Sequence, residues 1–319
     1  MWWEVMLADG QSTDGTRQLL EEYCKDHLNV RVISNPGRIV SCGLNAAIRA
    51  AKGEIILRMD AHSFYAPDYC RRSVETLLKT GADNVGGPAR TRADKPMQRA
   101  IAAAYHSRFS TGGARFHQET YEGWVDTVTY GCWRKTTLER IGLFDEGLVR
   151  NQDDELNLRL VRTGGRIWQD PAIISWYSPR STVAGLFHQY FQYGFWKVMV
   201  IQKHRLPGSW RQLVPAAFVA LNLILPTAAL AALLARLPSV FYSFAGAWVA
   251  LVSAYAFATA AASFHTARGR GWDTLLRLPI VFGAYHLSYG SGFLMGMVRA
   301  AVSPTVAISN RSVFARITR

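Results

Sequence analysis

From Leu213 to Arg319 the chain has no lysine and one acidic residue, Asp273, against eight arginines. Residues 1–212 hold the other 28 basic and 22 acidic residues. The net charge of +13 is therefore not gathered into a lysine-rich stripe, which argues against a nucleic-acid partner. Cysteine is scarce: Cys24, Cys42, Cys70 and Cys132 stand far apart and form no Cys-x-x-Cys pair. Neither a disulfide framework nor a cysteine zinc site follows from such spacing. They read as small reduced residues of a cytosolic domain. Met1-Trp2-Trp3-Glu4 lacks a basic start and a long apolar stretch, so it is not read as a signal peptide. Charged residues make up 18% and apolar residues 49%, too apolar a balance for a disordered chain.

Charge is missing altogether from three stretches. Residues 213–235, 239–264 and 278–298 carry none over 23, 26 and 21 positions. About 20 apolar residues at about 1.5 Å rise cross a bilayer core, so each run is long enough. The expectation is a membrane region over 206–319 with these three helices, preceded by a domain over 1–205. Arg268, Arg270 and Arg277 fall between the second and third runs, which places that loop on the cytosolic side. The tail, with Arg299, Arg311, Arg316 and Arg319, is equally basic, and its side is left open. Small-residue helix contacts are expected around Gly290 and Gly292.

The front of the chain alternates apolar strands with helical spacing. A strand over 3–8 ends in Asp9-Gly10, a helix covers about 14–27, and a strand runs over 30–34. A helix over about 41–51 follows, then a strand over 54–59 that ends in Asp60-Ala61-His62. That alternation predicts an α/β domain with a mostly parallel sheet. Ligands bind such sheets at the carboxyl ends of their strands, where Asp9 and Asp60 stand. Further on, a strand is expected over 125–130, and 105–124 reads as a functional loop. Asn151-Gln152-Asp153-Asp154-Glu155 opens a helix with Leu156 and Leu160 on one face and Asp153 and Asn157 on another.

A lone strand-end aspartate is ordinarily a cap or turn residue. Three acidic sites at element ends, one of them paired with His62, shift that reading. Asp60 and His62 offer an oxygen and an imidazole nitrogen suited to Mn²⁺ or Mg²⁺ bridging a diphosphate. Acidic residues in a helical first turn are favoured by the macrodipole, yet Asp153 is also free to face a cleft.

DGQSTDGT at 9–16, MDAH at 59–62 and RNQDDELNLRL at 150–160 resemble glycosyltransferase family 2. With SRFSTGGARFH at 107–117, DTVTYGCWRKTTLERIGLFDEGL at 126–148 and QYFQYGFWK at 189–197, the set looks most like the succinoglycan-type exopolysaccharide glucosyltransferases. The resemblance covers about 1–205. It implies a GT-A-type nucleotide-sugar transferase domain followed by an all-α transmembrane region. It also implies an inverting transfer of a hexose, plausibly glucose, from a UDP-sugar to a lipid-linked saccharide. Asp9 would contact the nucleoside, Asp60 the ribose and diphosphate, and His62 the metal beside Asp60. Asp153 would be the general base. Gln189–Tyr193 departs from the Gln-x-x-Arg-Trp of processive synthases, because Gln192 and Tyr193 replace the Arg and Trp.

The expected location is the plasma membrane, multi-pass, with the catalytic domain in the cytosol. Two rivals stand beside this reading: direct transfer to polyprenyl phosphate, and a non-enzymatic membrane assembly partner. The resemblance also implies a strand–helix unit ahead of the strand that ends in Asp9. Its absence would leave an unpaired sheet edge and an exposed apolar face.

Overall fold

The structure, a computed structural model, is described over residues 2–302. Arg311, Arg316 and Arg319 of the expected basic tail lie outside the described residues. The chain divides into two compact units, one of residues 1–90 and 115–177 and one of residues 91–114 and 178–319.

The first unit begins as the alternation predicts: β1 (Val5–Asp9), α1 (Thr16–Asp26), β2 (Val30–Ser34), α2 (Val40–Ala50) and β3 (Ile55–Leu57). β1 and β2 pair in parallel, from Val5 opposite Val30 to Asp9 opposite Ser34. Next come β4 (Ser63–Tyr65), α3 (Tyr69–Thr80) and β5 (Asn84–Gly87). The chain then passes through the second unit as α4 (Pro96–Tyr105) and α5 (Arg108–Thr111). It returns as β6 (Gly123–Val125), β7 (Thr129–Arg134), α6 (Lys135–Ile141), α7 (Gln152–Arg162), β8 (Ile167–Gln169) and β9 (Ser175–Tyr177).

The expectation of a mostly parallel sheet is corrected. A five-stranded sheet has the order β3-β7-β5-β8-β6, and within it only β5 and β8 run parallel. β4 and β9 form a separate antiparallel pair. The reason lies in the connections. The strand–helix–strand crossover through α1 gives the parallel pair β1–β2, whereas β3 leaves that sheet and pairs antiparallel with β7. Later strands are joined by the excursion through α4 and α5 and by short returns, which allow antiparallel pairing. The single strand expected over 125–130 is two strands, β6 and β7. The expected loop over 105–124 includes the short helix α5. Among the described residues β1 hydrogen-bonds only β2, β3 hydrogen-bonds only β7, and α1 buries none of its side chains.

The core of this unit forms where α6 and α7 meet the sheet. Trp133, Leu138, Leu156, Leu160 and Ile167 are buried together. Leu156 and Leu160 anchor α7 on its inner face and leave Asp153 on the outer side of its first turn.

The second unit is helical, with α8 (Val183–His204), α9 (Val214–Leu234), α10 (Pro238–Arg270) and α11 (Leu278–Val302) added to α4 and α5. Two stretches, Trp210–Leu234 and Pro238–Arg270, are long and apolar enough to cross a membrane. Large apolar side chains on them face outward, including Leu223, Leu234 and Phe257. Inside this hairpin Trp248 Nε1 donates to Asn222 Oδ1 at 3.1 Å. The third expected span, α11, packs one face against other helices. Leu278, Val281, Phe282 and Tyr285 are buried, and the helix lies along α8.

Glycines set that contact, and those expected to mediate it do. A Cβ on Gly292 would fall 2.0 Å from the Phe191 carbonyl oxygen, and one on Gly194 would fall 2.0 Å from that of Tyr289. Gly290 makes the same approach to α9, with 2.3 Å to the Pro215 carbonyl oxygen. Gly292→Ala must push the helices apart and is expected to cost about 1–3 kcal/mol, the range for overpacking. Gly283→Ala, where nothing lies within 4 Å, is the control and should be neutral or slightly stabilising. Thermal unfolding in detergent compares the two; equal midpoints would show that the close contact is not constraining.

Candidate active site

β3 is an apolar strand whose continuation, Arg58-Met59-Asp60, brings a charged residue under the sheet edge. The Arg58 backbone N–H donates to the Gly131 carbonyl, which extends the β3–β7 pairing by one residue. Its side chain is 6% exposed and turns back to Asp60, with Nε to Oδ1 at 2.8 Å and Nη2 to Oδ2 at 3.0 Å. The fork fixes the carboxylate in a two-point contact. Nη1 faces Asp153 Oδ2 at 4.0 Å. Burial works against the charged guanidinium, but the Asp60 and Asp153 carboxylates outweigh it and hold Arg58 protonated. Asp60 and Asp153, 93 positions apart in the sequence, thus share one cation.

The backbone around Asp60 is clamped as well. Its N–H donates to the Tyr65 hydroxyl at 2.6 Å, and that hydroxyl donates to the Asp60 carbonyl at 3.2 Å. Tyr130 closes the other side. A bulge in β7 opposite Gly86 turns it out of the strand, with φ of 61° at Tyr130 and 111° at Gly131. A left-handed aromatic residue is a costly backbone state, of the kind that persists where the surroundings impose it. The turn sends the Tyr130 hydroxyl against that of Ser63 and its ring to 6.0 Å from the Arg58 guanidinium carbon. Burial pushes the phenols of Tyr65 and Tyr130 up, so both remain neutral hydrogen-bonding groups.

Asp153 lies in the first turn of α7, behind Asn151 in a left-handed conformation. Its side chain is 53% exposed, and its Oδ1 accepts the Asp154 N–H at 2.9 Å. Asn157, one turn on, is buried: it accepts from Asn84 at 2.9 Å and donates to Thr127 at 2.8 Å. Through Asn84, whose Oδ1 accepts the Cys132 N–H, that network ties α7 to β5 and β7. The helix is therefore fixed while its acidic tip faces solvent.

Asp9 stands apart in the β1–β2 sheet. Its carboxylate accepts from the Ser12 hydroxyl at 2.6 Å and lies 3.7 Å from Arg17. The Ser12 hydroxyl bond, with Arg17 assisting, lowers the pKa of Asp9 below its ordinary value. His62 is exposed, its ring edge-on to Tyr177 at 6.4 Å. Among the described residues no three His, Cys, Asp or Glu side chains cluster tightly enough to hold a metal ion by themselves. The Asp60 carboxylate, 21% exposed, still has lone pairs beyond those given to Arg58. His62 follows two residues on, so these two side chains are the ones that could hold a divalent cation, with no third protein donor beside them among the described residues.

Sequence reasoning passed over Arg58, Tyr65 and Tyr130. An arginine directly after Ile55-Ile56-Leu57 was the available signal, since a charge there is buried and needs a partner.

Residues 2–142 match the family described as Glycosyl transferase family 2, a segment that ends before Asp153. The succinoglycan biosynthesis protein ExoA of Rhizobium meliloti is 35% identical over 215 residues, 67% of this chain and 65% of that protein. Residues 2–142 belong to glycosyltransferase family 2. A second relative is the dolichyl N-acetyl-α-D-glucosaminyl phosphate 3-β-D-2,3-diacetamido-2,3-dideoxy-β-D-glucuronosyltransferase of Methanococcus voltae. It is 29% identical over 225 residues, 68% of this chain and 69% of that one. Among solved structures, S. aureus TarS 1–349 in complex with UDP aligns at 16% identity with a TM-score of 0.42, covering 62% of this chain and 55% of that one. The chain thus spans 65% of the length of its Rhizobium relative.

Proposed function

We propose that the protein is a membrane-anchored, inverting glycosyltransferase. It moves a hexose from a UDP-sugar to a lipid-linked saccharide in exopolysaccharide synthesis. The observation that carries the reading is the cation shared by Asp60 and Asp153. It sets a strand-end carboxylate suited to the donor next to a solvent-reachable carboxylate suited to a base.

The chemistry follows from those two groups. A sugar hydroxyl becomes an adequate nucleophile as a carboxylate takes its proton, and Asp153 supplies that carboxylate. The hydroxyl oxygen bonds to the anomeric carbon from the face opposite the nucleotide, and the bond from that carbon to the diphosphate oxygen breaks. One displacement gives inversion, the electron pair leaves with the nucleoside diphosphate, and no second carboxylate nucleophile is required. Asp60 and His62 would hold a divalent cation, Mn²⁺ or Mg²⁺, and when bound it offsets charge on the leaving diphosphate. Asp9, held ionised by Ser12 and Arg17, would accept from the nucleoside.

Membrane attachment is supported by the outward apolar side chains of α9 and α10, two helices long and apolar enough to cross a bilayer. The inner membrane, with the catalytic unit in the cytosol, is the setting that suits a nucleotide donor and a lipid-linked acceptor.

The test uses detergent-solubilised protein, a UDP-hexose, and two acceptors: a lipid-diphosphate saccharide and free polyprenyl phosphate. Transfer to the saccharide alone is expected, abolished by excess chelator and restored by Mn²⁺ or Mg²⁺. Transfer to free polyprenyl phosphate would move the protein to the rival class, and full activity in chelator would remove the metal from the reading.

A further inference from the structure

We propose that Arg58 is a positioning residue that couples the donor-side carboxylate to the base. It fixes Asp60 in a two-point contact and holds its third nitrogen ready for Asp153. The inference rests on the functional reading above and deepens it.

Three observations carry it. First, the guanidinium is buried, whereas both of its carboxylate partners reach solvent, Asp60 at 21% and Asp153 at 53% side-chain exposure. A cation placed under two exposed carboxylates supports them from behind and leaves their outer lone pairs for ligands. Second, Nη1 is buried without a hydrogen bond, and an Asp153 oxygen lies at 4.0 Å. Buried donors are nearly always satisfied, so an unspent one calls for a reason. A small rotation of Asp153 closes the gap. The nitrogen can thus anchor the Asp153 carboxylate in place. Third, the arginine is itself immobilised by the Gly131 carbonyl at its backbone and the Tyr130 ring above its plane. Tyr130 reaches that position only through its left-handed backbone.

Lysine cannot replace this arrangement. A point charge satisfies one carboxylate, whereas the planar fork addresses two at set angles. The role is one of placement, since Arg58 lies beneath the carboxylates and does not reach the reacting atoms.

The experiment measures UDP affinity by calorimetry, together with kcat and donor KM, for Arg58→Met and Arg58→Lys. Each is also made in the Asp153→Asn background and in the Asp60→Asn background. Arg58→Met is expected to lower kcat about 10²-fold, the scale of a misplaced catalytic group. In the Asp153→Asn background the same change should lower kcat by less than about threefold, because groups that act as a unit are not additive. UDP affinity should fall with Arg58→Met and fall no further when Asp60→Asn is added. Arg58→Lys should recover thermal stability without recovering kcat, which separates placement from folding.

Independent, multiplying losses in both backgrounds would overturn the inference, as would normal kcat and UDP affinity in Arg58→Met. If Asp153→Asn turns over normally, the base assignment fails, and the UDP arm with Asp60 decides the role of Arg58. Wild-type protein that neither binds UDP nor transfers sugar overturns the functional reading and this inference together.

Discussion

Asp153→Asn is expected to lower sugar transfer by at least about 10²-fold, the lower range for losing a general base. The substitution keeps the shape of the side chain and its acceptor for the Asp154 N–H. It removes proton acceptance and the negative charge facing Arg58 Nη1. Donor affinity should change little, because Arg58 keeps its two bonds to Asp60. Stability should also change little, since the side chain is more exposed than buried and gives the helix only its small macrodipole contribution. Single-turnover transfer from a UDP-hexose, read beside UDP binding, checks the result. Near-normal turnover would mean that another group takes the proton.

Two residues along the same helix the expected result is of the opposite kind. Glu155 is fully buried and takes Arg159 in a fork, with Oε1 at 3.0 Å and Oε2 at 2.7 Å. Arg159 also donates to the Ile141 and Leu143 carbonyls, where α6 ends at Gly142. The pair therefore bolts α7 to the end of α6 as well as to itself. Glu155→Ala leaves Arg159 without its counter-charge and is expected to cost about 3–5 kcal/mol, the range for breaking a buried pair. Urea unfolding followed by tryptophan fluorescence should show the loss as a lower midpoint, with Asp153→Asn close to wild type. An unchanged midpoint for Glu155→Ala, together with collapsed turnover, would exchange the roles of the two acids.

These neighbours also show what could be read from the sequence. The helix was legible because Leu156 and Leu160 repeat at one-turn spacing, and that phase alone put Asp153 on a different face. The strand leading to Asp60 was legible from its apolar run and its polar end. What could not be read is how Arg58 behaves, because its partners are set by tertiary geometry: one lies two residues away and the other 95. Tyr130 was misplaced for a similar reason. Its segment looked like an ordinary strand, and only pairing with β5 shows that β7 holds an extra residue there. The sheet was misjudged because alternation over the first 60 residues was extended to strands that lack crossover helices. What the third uncharged stretch touches could not be read either, because a stretch without charge looks the same whether it faces lipid or other helices. In the structure one neighbour is α8, with Gly194 opposite Tyr289.

The glycine contacts between α8 and α11 carry one more consequence. A seam made of main chain laid on main chain gains its strength from atom-to-atom attraction at short range. Very little of it depends on driving water away. Such a joint is indifferent to its surroundings: it should be as tight in a lipid phase, a detergent micelle or an aqueous buffer. The apolar exteriors of α9 and α10 respond differently, since what they face alters their free energy directly. Changing the medium should therefore loosen the outer hairpin while α8 and α11 stay locked, so disassembly of this unit would begin at its rim.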